Sequence, residues 1–185
     1  MKKILLVTGN GRKVWQAQTV LEPLGIKVDS ADLDIKEIQS HASMDIAEDK
    51  ANRAYKLAKK PLIICDYYWS IPALKGFPGG YMKDISTWFT TQDWLALMSI
   101  HKDRSVILTE TLVYTDGKTT KTFTAKFSAH FIHEARGKGQ FSGERVAVYD
   151  GFTETIAQKI DKGEHARDMS KSAWLKFGKW YSKKK

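Results

Sequence analysis

Residues Lys3 to Val7 (Lys-Ile-Leu-Leu-Val) form a compact apolar run that ends at Thr8-Gly9-Asn10-Gly11. A short apolar run bounded by polar and turn residues reads as a buried strand. From Lys13 onward Val14, Ala17, Val20, Leu21 and Leu24 recur at three- and four-residue steps, which predicts a helix that Pro23-Leu24-Gly25 stops. A second short strand is expected over Ile26 to Asp29. Strand, glycine turn, helix, strand is an α/β opening. It places the turn at the carboxyl end of the first strand, where open α/β sheets take their ligands.

The rest of the chain extends this pattern. Asp45 to Ala58 reads as a helix with Ile46, Ala47, Ala51, Ala54 and Ala58 on one face, small enough to lie close on a sheet. Pro61 to Cys65 reads as an apolar strand that Asp66 ends. Lys75-Gly76-Phe77-Pro78-Gly79-Gly80 is crowded with backbone breakers and must be a loop. Asp84 to Ile100 reads as one helix with Trp88, Trp94, Leu95 and Met98 in the core. Ser105 to Tyr114 and Lys121 to Phe131 alternate as paired strands around Thr115-Asp116-Gly117-Lys118, and Asp-Gly is a hairpin signal. A short strand over Val146 to Val148 and a closing helix over Ser170 to Tyr181, with Ala173, Trp174, Phe177 and Trp180 at helical spacing, complete the reading.

At 185 residues this is one domain, or two lobes sharing a core. The 42% hydrophobic and 28% charged fractions exclude disorder as the default. No apolar run approaches the roughly 20 residues that span a bilayer, and Ile4 to Val7 is too short for a signal peptide's apolar segment. A cytoplasmic protein with no membrane partner is expected. Cys65 is the single cysteine, which rules out an internal disulfide framework and a cysteine-based zinc site within one chain. The net charge of +9 favours anionic partners. Lys176, Lys179 and Lys183 to Lys185 carry much of the excess, and the simplest reading of them is a solvated helix end and frayed tail, about 182–185.

Thr8-Gly9-Asn10-Gly11-Arg12-Lys13 has the makings of a phosphate site. A glycine turn between strand and helix presents backbone N–H groups at a helix N-terminus, Lys13 adds a positive charge, and the Asn10 amide can donate to a phosphate or ribose oxygen. The glycine spacing matches neither the P-loop nor the dinucleotide fingerprint, and on its own the segment reads equally as a plain turn. Two carboxylates stand out. Asp66 closes a buried strand and Glu37 lies in the polar segment Lys36-Glu37-Ile38-Gln39. If they converge they can hold Mg²⁺, which binds through one or two carboxylates with water and substrate phosphates completing its shell. Otherwise Glu37 is a surface charge and Asp66 a strand-end turn. Lys50 either faces the same pocket or is an exposed helix lysine.

Taken together these pieces resemble the inosine triphosphate pyrophosphatase, or Ham1-type, family. Its opening Thr-Gly-Asn-x-x-Lys is matched by Thr8 to Lys13, and its Asp-Leu…Glu-x-Gln segment by Asp32-Leu33 and Glu37-Ile38-Gln39. A helix with a lysine near its start matches Lys50-Ala51-Asn52-Arg53-Ala54. The Asp-Ser-Gly-Leu-like motif and the following Leu-x-Gly-x-Pro-Gly correspond to Asp66-Tyr67-Tyr68-Trp69 and Leu74 to Gly79, and Tyr81 continues the match. Arg136-Gly137 and Tyr149-Asp150-Gly151-Phe152 resemble later family segments. The resemblance implies an elongated, mixed-sheet, two-lobed α/β fold with its site in the cleft between lobes, generally a homodimer. It also implies Mg²⁺-dependent cleavage of a nucleoside triphosphate to monophosphate and pyrophosphate, with aberrant purine nucleotides as usual substrates. By position, Asp66 matches the catalytic acid and Glu37 a metal-binding carboxylate, with Asp66 also at the metal. Thr8, Asn10, Lys13 and Lys50 fall at the phosphate end.

The base-reading end departs from the pattern. Tyr67, Tyr68 and Trp69 replace small residues, and Cys65 replaces the acid that often precedes the catalytic Asp. Phe141-Ser142-Gly143-Glu144-Arg145 keeps the aromatic residue and one acid of a Gly-Phe-Gly-(Tyr/Trp)-Asp-Pro segment. Glu164 to Ser170 lacks the His-Arg pair of Lys-x-x-x-Ser-His-Arg and carries Asp168 instead. A site loses affinity for a base whose edge it no longer pairs. Tyr67, Phe141, Glu144 and Asp168 are therefore the candidate contacts of an altered base specificity. Two other readings stay open. One is a non-catalytic nucleotide-binding relative whose Tyr67-Tyr68-Trp69 run blocks the water or metal. The other, ranked last, is a basic nucleic-acid-binding module built on the +9 charge and on aromatics among C-terminal lysines.

Overall fold

The protein, represented by a computed structural model, is described at residues 1–40 and 42–184. Among the described residues six strands and six α-helices follow in the order β1 Lys2–Val7, α1 Gly11–Leu21, β2 Ile26–Ala31, α2 Ser43–Ala58, β3 Leu62–Ser70, α3 Met82–Trp88, α4 Thr91–Ser99, β4 Ser105–Thr115, β5 Thr120–Phe131, β6 Ala147–Tyr149, α5 Ile156–Asp161 and α6 Ala173–Tyr181. The hydrogen-bonded order is β2-β1-β3-β4-β5-β6. β1 runs parallel to both β2 and β3, and β5 runs antiparallel to β6, so the sheet is mixed and the fold is α/β.

The chain divides into two compact units. The first comprises Met1–Tyr67, Glu110–Ala125 and Met169–Lys185; the second comprises Tyr68–Thr109 and Lys126–Asp168. In the first unit the register Leu5↔Leu62 sets the pleat. Leu5, Val7, Leu62, Ile64 and Val113 then share one face, on which Ala47, Ala51 and Ala54 of α2 pack. These three alanines lie at helical spacing and are less than 2% exposed, so their small size brings α2 down onto the strands as expected. The opposite face carries α1 and α6. They meet so closely at Gly178 that a Cβ there would lie 2.9 Å from Leu21 Cδ2 of α1.

In the second unit Trp69, Trp94 and Phe131 form a mutually packed aromatic core with ring centroids 5.6–5.7 Å apart. Gly143 lies against it, since a Cβ at that position would come within 2.7 Å of the Trp69 ring. The Arg104 guanidinium is spent on three carbonyls, those of Met98, Phe131 and Ile132.

Several sequence expectations need correction. β3 does not stop at Asp66 but runs on to Ser70, because Tyr67, Tyr68 and Trp69 are good strand formers. The expected helix from Asp84 to Ile100 is two helices. Phe89 leaves α3 in an extended conformation, and Thr90 starts α4 with a capping box to Asp93. Trp88, expected in the core, is 70% exposed, whereas Trp94 and Met98 are fully buried. α5, capped by Thr155, and the 3₁₀ turn Ser142–Arg145 were not expected at all.

The C-terminal segment is not frayed. Lys184 Nζ bonds to the Tyr114 hydroxyl at 3.0 Å and to the Asp116 carboxylate at 2.5 Å, and it stacks over the Tyr114 and Trp180 rings. Lys2 Nζ reaches back to the carbonyls of Tyr181, Ser182 and Lys184. Lys185, part of the expected tail, lies outside the described residues.

Candidate functional site

The predicted phosphate turn is formed by local hydrogen bonds. The Asn10 amide donates to Thr8 Oγ1 at 3.1 Å, and Asn10 Oδ1 caps α1 by accepting from the Arg12 amide at 3.0 Å. The helix therefore begins at Gly11, two residues ahead of the sequence reading, and Lys13 lies in its first turn. With the Asn10 oxygen committed to the cap, only its NH₂ end can donate to a ligand. A Cβ added to Gly11 would meet nothing within 4 Å, so the helix N-terminus is open above the turn. Gly9 is the opposite case. A Cβ there would sit 2.4 Å from Asp32 Oδ2, which shows the Asp32 carboxyl group pressed against the turn. Asp32 had no assigned role in the sequence reading. Its signal was its place directly after the strand whose Ala31 carbonyl accepts from the Thr8 amide.

Lys13 links this turn to β3. Its ammonium donates to the Cys65 carbonyl at 2.8 Å, stands 3.9 Å from Asp66 Oδ1 and lies 5.1 Å from the Tyr67 ring centroid. At 3.9 Å the approach to Asp66 is a charge contact and not a hydrogen bond. Successive strand side chains point to opposite faces. Asp66 thus shares the α2 face with Leu62 and Ile64, and Tyr67 turns to the α1/α6 face. The Tyr67 hydroxyl donates to Gln16 Oε1 at 2.8 Å and accepts from Trp174 Nε1 at 3.1 Å. Trp69 is 5% exposed in the aromatic core. Of the three bulky residues expected to crowd the site, two are therefore occupied in packing elsewhere, and Tyr68 alone follows Asp66 on its strand face. Cys65 is buried, and burial pushes its thiol up to about 12 despite the nearby Lys13 charge, so it stays a neutral filler.

Glu37 and Lys50 pair with one another at 2.5 Å, each about a quarter to a third exposed. The partners arrive from the segment after β2 and from α2, and the neighbouring Leu33 and Ile35 pack against the cluster that contains Ala47, Ala51, Leu62 and Ile64. Glu37, Lys50 and Asp66 thus belong to the same side of the sheet, with each acid accompanied by a lysine. Among the described residues no group of three or more His, Cys, Asp or Glu side chains could hold a metal ion.

The expected base-reading residues fall in the second unit, apart from Tyr67. Phe141 is half-buried and opens the 3₁₀ turn. Glu144 is 6% exposed, and its Oε2 accepts from the amides of Gln140 and Phe141, both at 3.1 Å. That carboxylate is engaged in holding its own loop. Asp168 is exposed. Burial and the neighbouring Arg167 charge hold His165 below the usual imidazole range, and the Arg167 guanidinium lies 5.2 Å over the Phe127 ring. Arg136 pairs with Glu134, and Gly137, at φ +81°, lies where a Cβ would strike the Gln158 amide at 2.8 Å.

Fold and site together define a mixed α/β protein in which the Thr8–Lys13 turn opens α1, Asp66 stands by Lys13, and Glu37 pairs with Lys50. The family model of the Ham1 family matches residues 4–180, and the chain belongs to that family. It is 28% identical over 178 residues to the dITP/XTP pyrophosphatase of Thermococcus kodakarensis, covering 96% of each chain. It is 30% identical over 180 residues to the inosine triphosphate pyrophosphatase of Fusarium vanettenii, covering 94% of this chain and 96% of that one. Among solved structures it resembles the HAM1 protein of Coxiella burnetii, with TM-score 0.83 and 20% identity over the whole of both chains. The Ham1 protein of Staphylococcus aureus follows with TM-score 0.77, also at 20% identity and over both whole chains.

Proposed function

We propose that this chain is a Mg²⁺-dependent nucleoside triphosphate pyrophosphatase that releases a monophosphate and pyrophosphate. The observation that carries the reading is the position of Lys13. It leaves an open helix N-terminus, is held by the Cys65 carbonyl, and stands 3.9 Å from Asp66. In this reading the Gly11 and Arg12 end of α1, the Asn10 NH₂ group, Lys13 and Lys50 bind the polyphosphate. The Asp66 carboxylate takes a proton from the water that attacks the α-phosphorus as the bond to the β-phosphate oxygen breaks. Lysine charge stabilises the leaving pyrophosphate. Glu37 and Asp66 offer hard oxygen donors that suit Mg²⁺ arriving with its nucleotide, since that ion is usually held by one or two carboxylates and the substrate phosphates. They do not form an all-protein cage. Bound there, the ion would neutralise the triphosphate and help orient water.

The base preference is read as shifted away from inosine and xanthosine. The support is the lack of a His-Arg pair in the segment Glu164 to Ser170, which carries Asp168 instead. Phe141 and Asp168 are the residues of the second unit read as meeting the base, with the Glu144 carboxylate accepting from the amides of Gln140 and Phe141. The same reading includes a cytoplasmic homodimer. No helix among the described residues is long and apolar enough to cross a membrane.

The test is a screen of ribo- and deoxyribonucleoside triphosphates with Mg²⁺, assayed by pyrophosphate release, in the wild type and in Asp66→Asn. Turnover of at least one nucleotide by the wild type is expected. Its loss in Asp66→Asn, with nucleotide-dependent thermal stabilisation retained, completes the expected result. Stabilisation by nucleotides with no pyrophosphate from any of them, in folded protein, would replace the hydrolase by a binding relative.

A further inference from the structure

Tyr67 follows Asp66 on β3, and its side chain contacts α1 at two points. Its hydroxyl donates to Gln16 and accepts from Trp174, partners that are 6% and 0% exposed, so the far end of the ring is pinned from two helices. Its face lies 5.1 Å from Lys13 Nζ. Gln16 and Lys13 are three residues apart on α1 and therefore share a face of that helix. One phenol side chain thus ties to α1 at Gln16 through its oxygen and supports the Lys13 ammonium with its ring.

A lysine is a flexible four-carbon stem that loses rotamer freedom when held in one place. Here three groups hold it: the Cys65 carbonyl at 2.8 Å, the Asp66 carboxylate at 3.9 Å and the Tyr67 ring. Two of the three come from Cys65 and Asp66, which precede Tyr67 on β3, and the third is Tyr67 itself. Because strand alternation sends Tyr67 away from the face that carries Asp66, its bulk is not placed over the acid.

We infer that Tyr67 is a positioning residue that preorganises Lys13 for the polyphosphate, acting through the lysine and not by touching nucleotide. The inference rests on the assignment of Lys13 to the phosphate site.

Two measurements test it. In ligand-free protein, the Lys13 ammonium is followed by NMR. Tyr67→Phe, which keeps the ring, is expected to leave the Lys13 Nζ resonance and its slow proton exchange in place, even though loss of the hydroxyl lowers the melting temperature. Tyr67→Leu should abolish the slow exchange. An unchanged Lys13 signal in folded Tyr67→Leu overturns the inference whatever the enzyme does. In the second measurement, inorganic pyrophosphate binding is measured by calorimetry in a double-mutant cycle. Tyr67→Leu is expected to weaken binding about three- to tenfold in the wild-type background, in keeping with a cation–π contact. It should have no further effect on Lys13→Ala, because the two act as a unit. Equal losses in both backgrounds would overturn the inference by making Tyr67 a structural residue only. If coupling is found and no nucleotide is hydrolysed, the hydrolase reading fails and the positioning role stands. If nucleotides are hydrolysed and the effects are additive, the reverse holds.

Discussion

The Glu110 carboxylate, fully buried on β4, accepts a hydrogen bond at 2.6 Å from the amide of Ala173, the first residue of α6. A helix N-terminus favours negative charge and has amide donors to satisfy. α6 in turn supplies Trp174 to the Tyr67 hydroxyl, so Glu110 stands behind the arrangement that holds Lys13. Glu110→Ala leaves the amide without this acceptor and opens a cavity. It is expected to cost about 2–3 kcal/mol by urea denaturation, from the loss of a charge-assisted bond, with Glu110→Gln costing less.

The Lys184 clamp should show in the pH dependence of stability. The hydrogen bond from Lys184 is the largest of the effects that hold the Asp116 carboxyl well below the ordinary carboxylate range, and the bond to Asp116 is the largest that raises Lys184 above its ordinary value. The Asp116 contribution is present above the unfolded carboxylate value of about 3.9 and fades as pH falls through the lower folded one. The Lys184 contribution is present below about 10.4 and fades as pH rises through the raised folded value. Lys184→Ala should therefore lower the melting temperature most on the neutral plateau. The gap from wild type should close toward strong acid and strong base. A gap independent of pH would remove the ion pair from the account.

Cys65 should resist alkylation. Its thiol is buried and pushed up to about 12, so almost no thiolate exists at pH 8. Iodoacetamide is expected to leave the folded protein unmodified over hours and to label it once it is unfolded in guanidinium, as read by mass spectrometry. Pyrophosphatase activity should survive the treatment.

Glu37 and Lys50 separate stability from function. Their partial exposure limits the pair to less than about 1 kcal/mol, so Glu37→Gln should melt within a few degrees of wild type. If Glu37 receives the divalent ion, the same variant needs several-fold more Mg²⁺ for half-maximal activity. An unchanged Mg²⁺ titration would remove Glu37 from the metal site.

The α/β opening was readable because apolar period and breaker residues agree there: Lys3 to Val7, the Gly9–Gly11 turn, and the stop at Pro23-Leu24-Gly25 all point to one structure. The hairpin followed from Asp116-Gly117, where the Asp116 carboxylate accepts from the amides of Lys118 and Thr119. The break between α3 and α4 was hidden because Thr90 and Asp93 look like ordinary polar helix residues until their side chains are seen capping each other's backbone. Of the candidate site, local pattern marked Thr8 to Lys13 as a turn before a helix and Asp66 as an acid in a strand, while their proposed roles came from the resemblance. The true setting of Tyr67 was not legible, since its partners Gln16 and Trp174 lie 51 and 107 residues away. The clamp of Lys184 to Tyr114 and Asp116 escaped for the same reason: a run of lysines carries no sign of what it will meet.

Strand β3 places an acid on one side of a layer and a phenol on the other in consecutive residues, and this limits how the segment can vary. Adding or deleting one residue between Leu62 and Asp66 would exchange the two, turning the carboxylate toward Gln16 and Trp174 and the aromatic ring toward the face of Leu62 and Ile64. Length changes in this stretch are tolerable only in pairs, whereas substitutions that respect parity are open. The crowded look of Asp66-Tyr67-Tyr68-Trp69 is thus compatible with an accessible acid, since the side chain at position 67 points to the opposite face of the strand.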